Sequence, residues 1–307
     1  MQTILGSTGV IGTGLAKSLY KSYTKDIRLV SRNPKAVNPS DTLFKADLTD
    51  EKQTLDAVKG SEIVYLTPGL EYKTKVWQEQ WPKIMQNVIK ACEAHGSKLV
   101  FFDNVYSYGR VKGWMTEETP YNPCSKKGEV RVKIAEMLMD EVKKGNLKAQ
   151  IARAADFYGP DTPMAFTSAM VFDNLAKGKK AQWIVNANVK HTLTYTPDAG
   201  KATAILGNTE TAYNQVWHLP SDRNSLSGKE FIDMAVMEFG ATGSFTTFSP
   251  LMIKIAGLFM PVLKESVEML YQYKYEYLFS SEKFENKFGF VPTSYEEGIK
   301  ETVNSYK

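Results

Sequence analysis

The feature that most restricts this chain lies in its first dozen residues, Met1-Gln2-Thr3-Ile4-Leu5-Gly6-Ser7-Thr8-Gly9-Val10-Ile11-Gly12. Thr3 to Leu5 is a short run of the kind buried in a parallel sheet. An amphipathic pattern opens at Val10 and continues through Leu15, Leu19 and Tyr20. Glycines fall between them at positions 6, 9 and 12. A strand, a glycine turn and a helix in that order make the phosphate-binding start of a βαβ dinucleotide fold. Gly6 lets the chain turn sharply, Gly9 lets the backbone approach a pyrophosphate, and Gly12 lets the helix lie close on the strand. Ser7, Thr8, Val10 and Ile11 complete the turn, and the helix N-terminus offers free N–H groups and partial positive charge. The competing account is a tight turn whose glycines serve geometry alone.

A chain of 307 residues with 43% hydrophobic content can bury a sizeable core, as one large α/β unit or as a main domain with an appendage. The net charge of +4 is mild and lysines are interleaved with acids, so there is no basic stripe for nucleic acid. Cys92 and Cys124 make no metal-ligand spacing with each other or with the three histidines, which predicts reduced thiols and no metal. The first strand begins almost at Met1, with no basic-then-apolar leader before it. The longest apolar stretch, Leu251 to Leu263, is broken by Lys254 and Pro261 and is too short to span a bilayer. The expectation is a soluble cytoplasmic protein with no nucleic-acid and no membrane partner.

The strands and helices then alternate. Asp26 to Ser31 is the second strand, and Ser31, Arg32 and Lys35 stand where an adenosine ribose would lie. An acid there would accept from the 2′-hydroxyl; its absence favours the 2′-phosphate of NADP, with NAD as second choice. A charge-assisted hydrogen bond from Arg32 is worth roughly 1.5–3 kcal/mol. Thr42 to Lys45 makes a third strand, Ile63 to Leu66 a fourth, Lys98 to Asp103 a fifth and Leu147 to Arg153 a sixth. Lys75 to Ala94 is a long helix whose apolar stripe (Val76, Trp77, Trp81, Ile84, Met85, Val88, Ile89) is wider than one sheet face needs.

Three stretches together resemble the extended branch of the short-chain dehydrogenase/reductase superfamily, the NAD(P)-dependent epimerases and dehydratases. They are the Gly6-x-x-Gly9-x-x-Gly12 spacing, the Tyr108-Gly109 turn after the fifth strand, and Arg153-x-x-Asp156-x-Tyr158-Gly159-Pro160 after the sixth. The resemblance covers nearly the whole chain and is weak from Met164 onward. It implies an α/β fold, a Rossmann-like doubly wound parallel sheet with a smaller C-terminal substrate domain. The expected division is a nucleotide domain over 1–160 and a mainly substrate-binding domain over 161–307, with strands near 191–197 and 214–219 returning to the main sheet. It further implies that Asp47-Leu48 meets the adenine edge, although Asp47 as a helix cap serves equally well. Thr67-Pro68-Gly69, Asp103, Asn104 and Ala155 would pass close to the cofactor. The long helix and the one over about 128–144 would form a homodimer interface, with extra core packing an equal explanation.

The resemblance also implies chemistry that this chain departs from. The family places a Ser or Thr before its tyrosine turn, and Asn104 takes that position here. About twenty residues on, the family carries Tyr-x-x-x-Lys, a phenol acid/base beside a lysine that lowers its pKa and holds the ribose. Alignment on Gly128 puts Lys127 at the tyrosine and Arg131 at the lysine. Arg131 would then hold the ribose, Lys127 would move the proton if its pKa were depressed, and Tyr106, Tyr108 or Tyr121 would offer a phenol from elsewhere. A solvated basic helix start is the alternative.

Farther on, Met164 to Lys177 reads as a helix that lines a substrate cleft through Phe166 or Met170. Asp198 is implied to cap a helix, and His218 reads as a core histidine. Ser227 with Glu230 opens a helix to Phe239. Pro250 to Tyr277 is dense in Met, Phe, Leu and Tyr, and reads as a lid or small-domain core. Two functions stay open: an oxidoreductase or epimerase on a small carbonyl or hydroxyl compound of possible sugar type, and a non-catalytic NADP(H)-binding redox sensor.

Overall fold

Buried parallel strands need apolar side chains on both faces, and the strands of the first half supply them. The computed structural model describes residues 1–241 and 243–307. Its main sheet is built from β1 (Gln2–Leu5), β2 (Ile27–Ser31), β3 (Thr42–Lys45), β4 (Ile63–Leu66), β5 (Lys98–Asn104), β6 (Ala149–Ala154) and β7 (Val216–His218). Every residue of β1, β4 and β6 is buried, whereas β3, at one edge, is largely exposed. The order across the sheet is β7-β6-β5-β4-β1-β2-β3, all parallel. The direction of winding reverses at β1, between β4 and β2, and in such sheets ligands bind beyond the carboxyl ends of the strands at that reversal.

The chain packs as two units. The first comprises Met1–Ser107, Lys127–Ala154 and Ala199–Leu219, and the second comprises Tyr108–Lys126, Ala155–Asp198 and Pro220–Lys307. Helices α1 (Val10–Ser22), α2 (Glu51–Val58), α3 (Thr74–His95), α4 (Lys126–Lys143) and α5 (Thr196–Gly207) accompany the main sheet. Asp50 caps α2, its Oδ1 accepting from Gln53 N at 2.8 Å. Helices α1 and α5 touch through glycines: a Cβ at Gly200 would stand 2.9 Å from the carbonyl carbon of Gly14. The broad stripe of α3 is buried within the first unit itself, Val76 alone of its members being half-buried.

The second unit holds three parallel two-stranded ladders. Asp156–Tyr158 pairs with Leu193–Tyr195, Ala181–Ile184 with Phe245–Phe248, and Trp114–Met115 with Leu278–Phe279. The strand expected near 191–197 therefore does not rejoin the main sheet; its partner is the short strand that follows the Arg153 turn. Only the strand expected near 214–219 returns, as β7. Aromatic residues fill this unit, with Tyr158 stacked on Tyr295 at 5.5 Å and Trp183 edge-on to Phe166 at 5.1 Å.

Two helical expectations change here. Met164 to Lys177 is continuously helical over 166–176, with its middle, Ser168–Phe172, wound as a π-helix. Thr167 Oγ1 donates to Phe157 O just before it, and Phe166 packs on Trp183 and Tyr273 in the core rather than lining a cleft. Asp198 lies in the first turn of α5, and its carboxylate accepts from Thr293 N at 2.7 Å. The helix Gly228–Phe239 does open on the full capping box of Ser227 and Glu230.

Candidate functional site

The glycine turn has three different environments at its three glycines. Gly6 sits at φ +89°, and a Cβ there would meet Pro68 Cα and N at 2.5 Å, so the Thr67-Pro68-Gly69 turn lies directly against it. At Gly12 a Cβ would stand 2.8 Å from Ser7 Cα, because α1 is seated on the turn. At Gly9 it would meet only Gly6 O, at 3.8 Å, and Thr8 and Gly9 are exposed. The crest of the turn is thus open while its two ends are closed. Gly9 is also the N-cap of α1 and supplies no side-chain cap, which leaves the first N–H groups of a 13-residue helix to a ligand.

Side chains beneath the crest are committed inward. Ser7 is buried and its hydroxyl donates to Val30 O at 3.3 Å, so only its backbone serves the turn. Val10 is half-buried and Ile11 buried, anchoring the helix start. Thr67 is buried, with its N–H and hydroxyl both directed to Leu5 O. The crest offers open space and backbone N–H groups, which is what a diphosphate cradle would need.

At the adenosine side, Arg32 is exposed just beyond β2, and Ser31 Oγ accepts from Asn33 N at 3.2 Å. Asp47 is exposed and does not cap α2. It folds an Asx turn, Oδ1 accepting from Thr49 N and Oγ1, and these bonds, with a contribution from Arg32, hold its carboxyl below the usual range. Leu48 is buried, its carbonyl accepting from Asn87 Nδ2 at 2.9 Å.

The other predicted residues at the β5 end form a closed network. Asp103 is 1% exposed, and its Oδ2 accepts from Arg153 Nε at 3.1 Å and Nη2 at 2.9 Å. Its Oδ1 stands 3.4 Å from Arg131 Nη1. Asp103 therefore engages two guanidiniums with its carboxylate. Arg131 is buried, with its guanidinium carbon 4.2 Å from the Trp81 ring centroid and 4.7 Å from that of Trp77. Burial draws its pKa down while Asp103 opposes that shift. Lys127 is wholly buried; its Nζ donates to Thr74 Oγ1 at 2.9 Å and lies 4.6 Å from the Tyr72 ring centroid. Their burial removes the reading of a solvated basic helix start: Thr74 and Tyr72 meet Lys127, and Trp77, Trp81 and Asp103 meet Arg131.

Asn104 closes β5 and accepts from Tyr106 N at 3.1 Å, while the Tyr106 ring stacks on Trp77 at 6.1 Å. Tyr108 is buried 6.1 Å from the Tyr121 ring. Ala155 is buried and its N–H donates to Thr194 Oγ1. Among the described residues no group of His, Cys, Asp and Glu could hold a metal ion.

The second unit contains a titratable cluster that the motif reading passed over. His191 Nε2 lies 3.0 Å from Asp156 Oδ2, and Tyr273 Oη donates to the same oxygen at 3.1 Å. The imidazole is sandwiched between the rings of Tyr273 (4.8 Å, 14°) and Tyr277 (4.4 Å, 12°). Nδ1 has no hydrogen-bond partner among the described residues. The Tyr277 phenol is driven well above its usual pKa by burial and by Asp156, so it stays neutral. Asp156 is the accessible member, its side chain 19% exposed. The signal in the sequence was a carboxylate inside an otherwise apolar turn, which needs a buried donor to hold it.

The model of the NAD dependent epimerase/dehydratase family matches residues 3–214 of this chain. The chain belongs to that family. No curated protein matches it. Among solved structures, the UDP-glucose 4-epimerase of Thermus thermophilus, in complex with NAD, superposes with a TM-score of 0.82 at 17% identity, covering 100% of this chain and 99% of that one. UDP-glucose 4-epimerase of Thermotoga maritima, with UDP-glucose, gives 0.82 at 18%, covering 100% and 98%. A dTDP-glucose 4,6-dehydratase of Streptomyces venezuelae, with NAD bound, gives 0.83 at 16%, covering 100% and 96%. Identities this low speak for the fold alone.

Proposed function

We propose that this protein is an NAD(P)-dependent oxidoreductase of the epimerase/dehydratase type acting on a carbonyl or hydroxyl compound. The observation that carries the proposal is the open crest at Gly9 above an uncapped helix N-terminus, at the winding reversal of the sheet. Gly6, Gly9 and Gly12 would hold the diphosphate, and Arg32 would favour the 2′-phosphate of NADP, with the Asp47 charge opposing it. When bound, the dinucleotide accepts or supplies a hydride.

Sugar nucleotides are the favoured substrate class, supported by the UDP-glucose epimerases and dTDP-glucose dehydratase whose fold this chain shares. A redox sensor is the second reading, supported by the enclosure of Lys127 and Arg131.

The test pairs a fluorescence titration of NADPH and NADH with a turnover screen over UDP- and dTDP-hexoses and small carbonyls. The expected outcome is binding of a dinucleotide together with turnover of at least one of these substrates. Unequal binding of the two redox forms with no turnover establishes the sensor. Failure of both nucleotides to bind removes both readings.

A further inference from the structure

The aromatic and aliphatic crowd of Pro250 to Tyr277 reads in the sequence as a lid or small-domain core, and the structure divides it: Met269, Leu270, Tyr273 and Tyr277 are buried, whereas the stretch up to Lys264 lies largely outside. The helix Pro250–Ala256 buries only Ile253, and the helix Pro261–Ser266 buries nothing. Between them Leu258 is 78% and Phe259 82% exposed, and Leu251, Met252, Ile255, Met260 and Val262 are each about half exposed or more. Large apolar side chains gathered in this way mark a contact surface. Exposure is greatest at the turn joining two helices of seven and six residues, so the patch projects and does not form a flat face.

The charges on the patch select its partner. Lys254 and Lys264 are exposed, and no Asp or Glu occurs between Glu238 and Glu265. A two-fold contact with a second copy would bring four lysines together, while the one acid of each patch, Glu265, is half-buried. An anionic bilayer surface supplies phosphates for the lysines and an acyl boundary for the projecting turn.

We propose that the segment Pro250–Lys264 seats this protein on an anionic lipid surface, with Leu258, Phe259 and Met260 entering the acyl boundary and Lys254 and Lys264 at the headgroups. No helix among the described residues is long and apolar enough to cross a membrane. Lying on a bilayer is a different matter from spanning it, and the expectation of no membrane partner rested only on the lack of a span.

The experiment is flotation of the purified full chain with vesicles of phosphatidylcholine alone and with about 30% phosphatidylglycerol added. The protein should float with the anionic vesicles, less so with neutral ones, and release as salt is raised. The double variant Leu258→Asp, Phe259→Asp should stay with the soluble fraction and keep the wild-type melting temperature, since both side chains are exposed. Lys254→Gln and Lys264→Gln should each weaken binding about fivefold. The proposal is overturned if the wild type does not float, or if the double variant floats as well as the wild type. It is also overturned if sedimentation shows a dimer that the double variant dissociates.

Discussion

The glycine turn before α1 and the basic start of α4 are both short motifs at a helix entrance, and the structure treats them in opposite ways. At the first, the side chains are spent inward while the backbone N–H groups and the space above Gly9 are left unspent. At the second, Lys127 and Arg131 are enclosed by Tyr72, Trp77, Trp81 and Asp103. A motif predicts binding when its polar groups remain available after folding. It predicts stability when neighbours consume them.

The sharpest way to break this contrast is at Arg131. Removing one member of a buried charged network costs about 3–5 kcal/mol, so Arg131→Ala should lower the urea midpoint by a corresponding amount and leave nucleotide affinity within about twofold. A large loss of affinity at unchanged stability would return Arg131 to the cofactor. Next in size is Gly9→Val. Its φ of −76° suits any residue and its Cβ meets open space, so the urea midpoint should hold while dinucleotide affinity falls at least about 100-fold. A folded variant that still binds would show that the crest is not the phosphate seat. Smallest is Arg32→Asp, which should weaken NADPH about tenfold and narrow its margin over NADH. Equal titrations for wild type and variant would leave cofactor choice to Asp47 and its surroundings.

What was legible in the sequence was local. The strand, turn and helix at the N-terminus, the individual strands of the nucleotide half and the Ser227–Glu230 capping box each lie within a few residues of one another. Their physics is complete at that range. The partners of Asp103 and Asp156 were not legible, because Arg153 lies 50 positions from the first, and His191 and Tyr273 lie 35 and 117 from the second. Such pairs exist only once the sheet and ladders have brought them together. The stripe of α3 was visible but not its purpose, since Trp77 and Trp81 pack on a guanidinium and apolar counting cannot see that. The segment after Pro250 taught the converse: apolar density records a tendency to be covered, and packing alone decides what covers it.

The return of β7 to the main sheet governs how this chain is made. Val216–His218 is the last strand of that sheet to be translated, and it is the partner of β6, every residue of which is buried in the finished fold. Until the ribosome has added residue 218, β6 is an unpaired parallel edge rich in donors and acceptors, open to strands of other nascent chains. A chain halted within 155–214 lacks the strand that pairs with β6 and leaves that edge open.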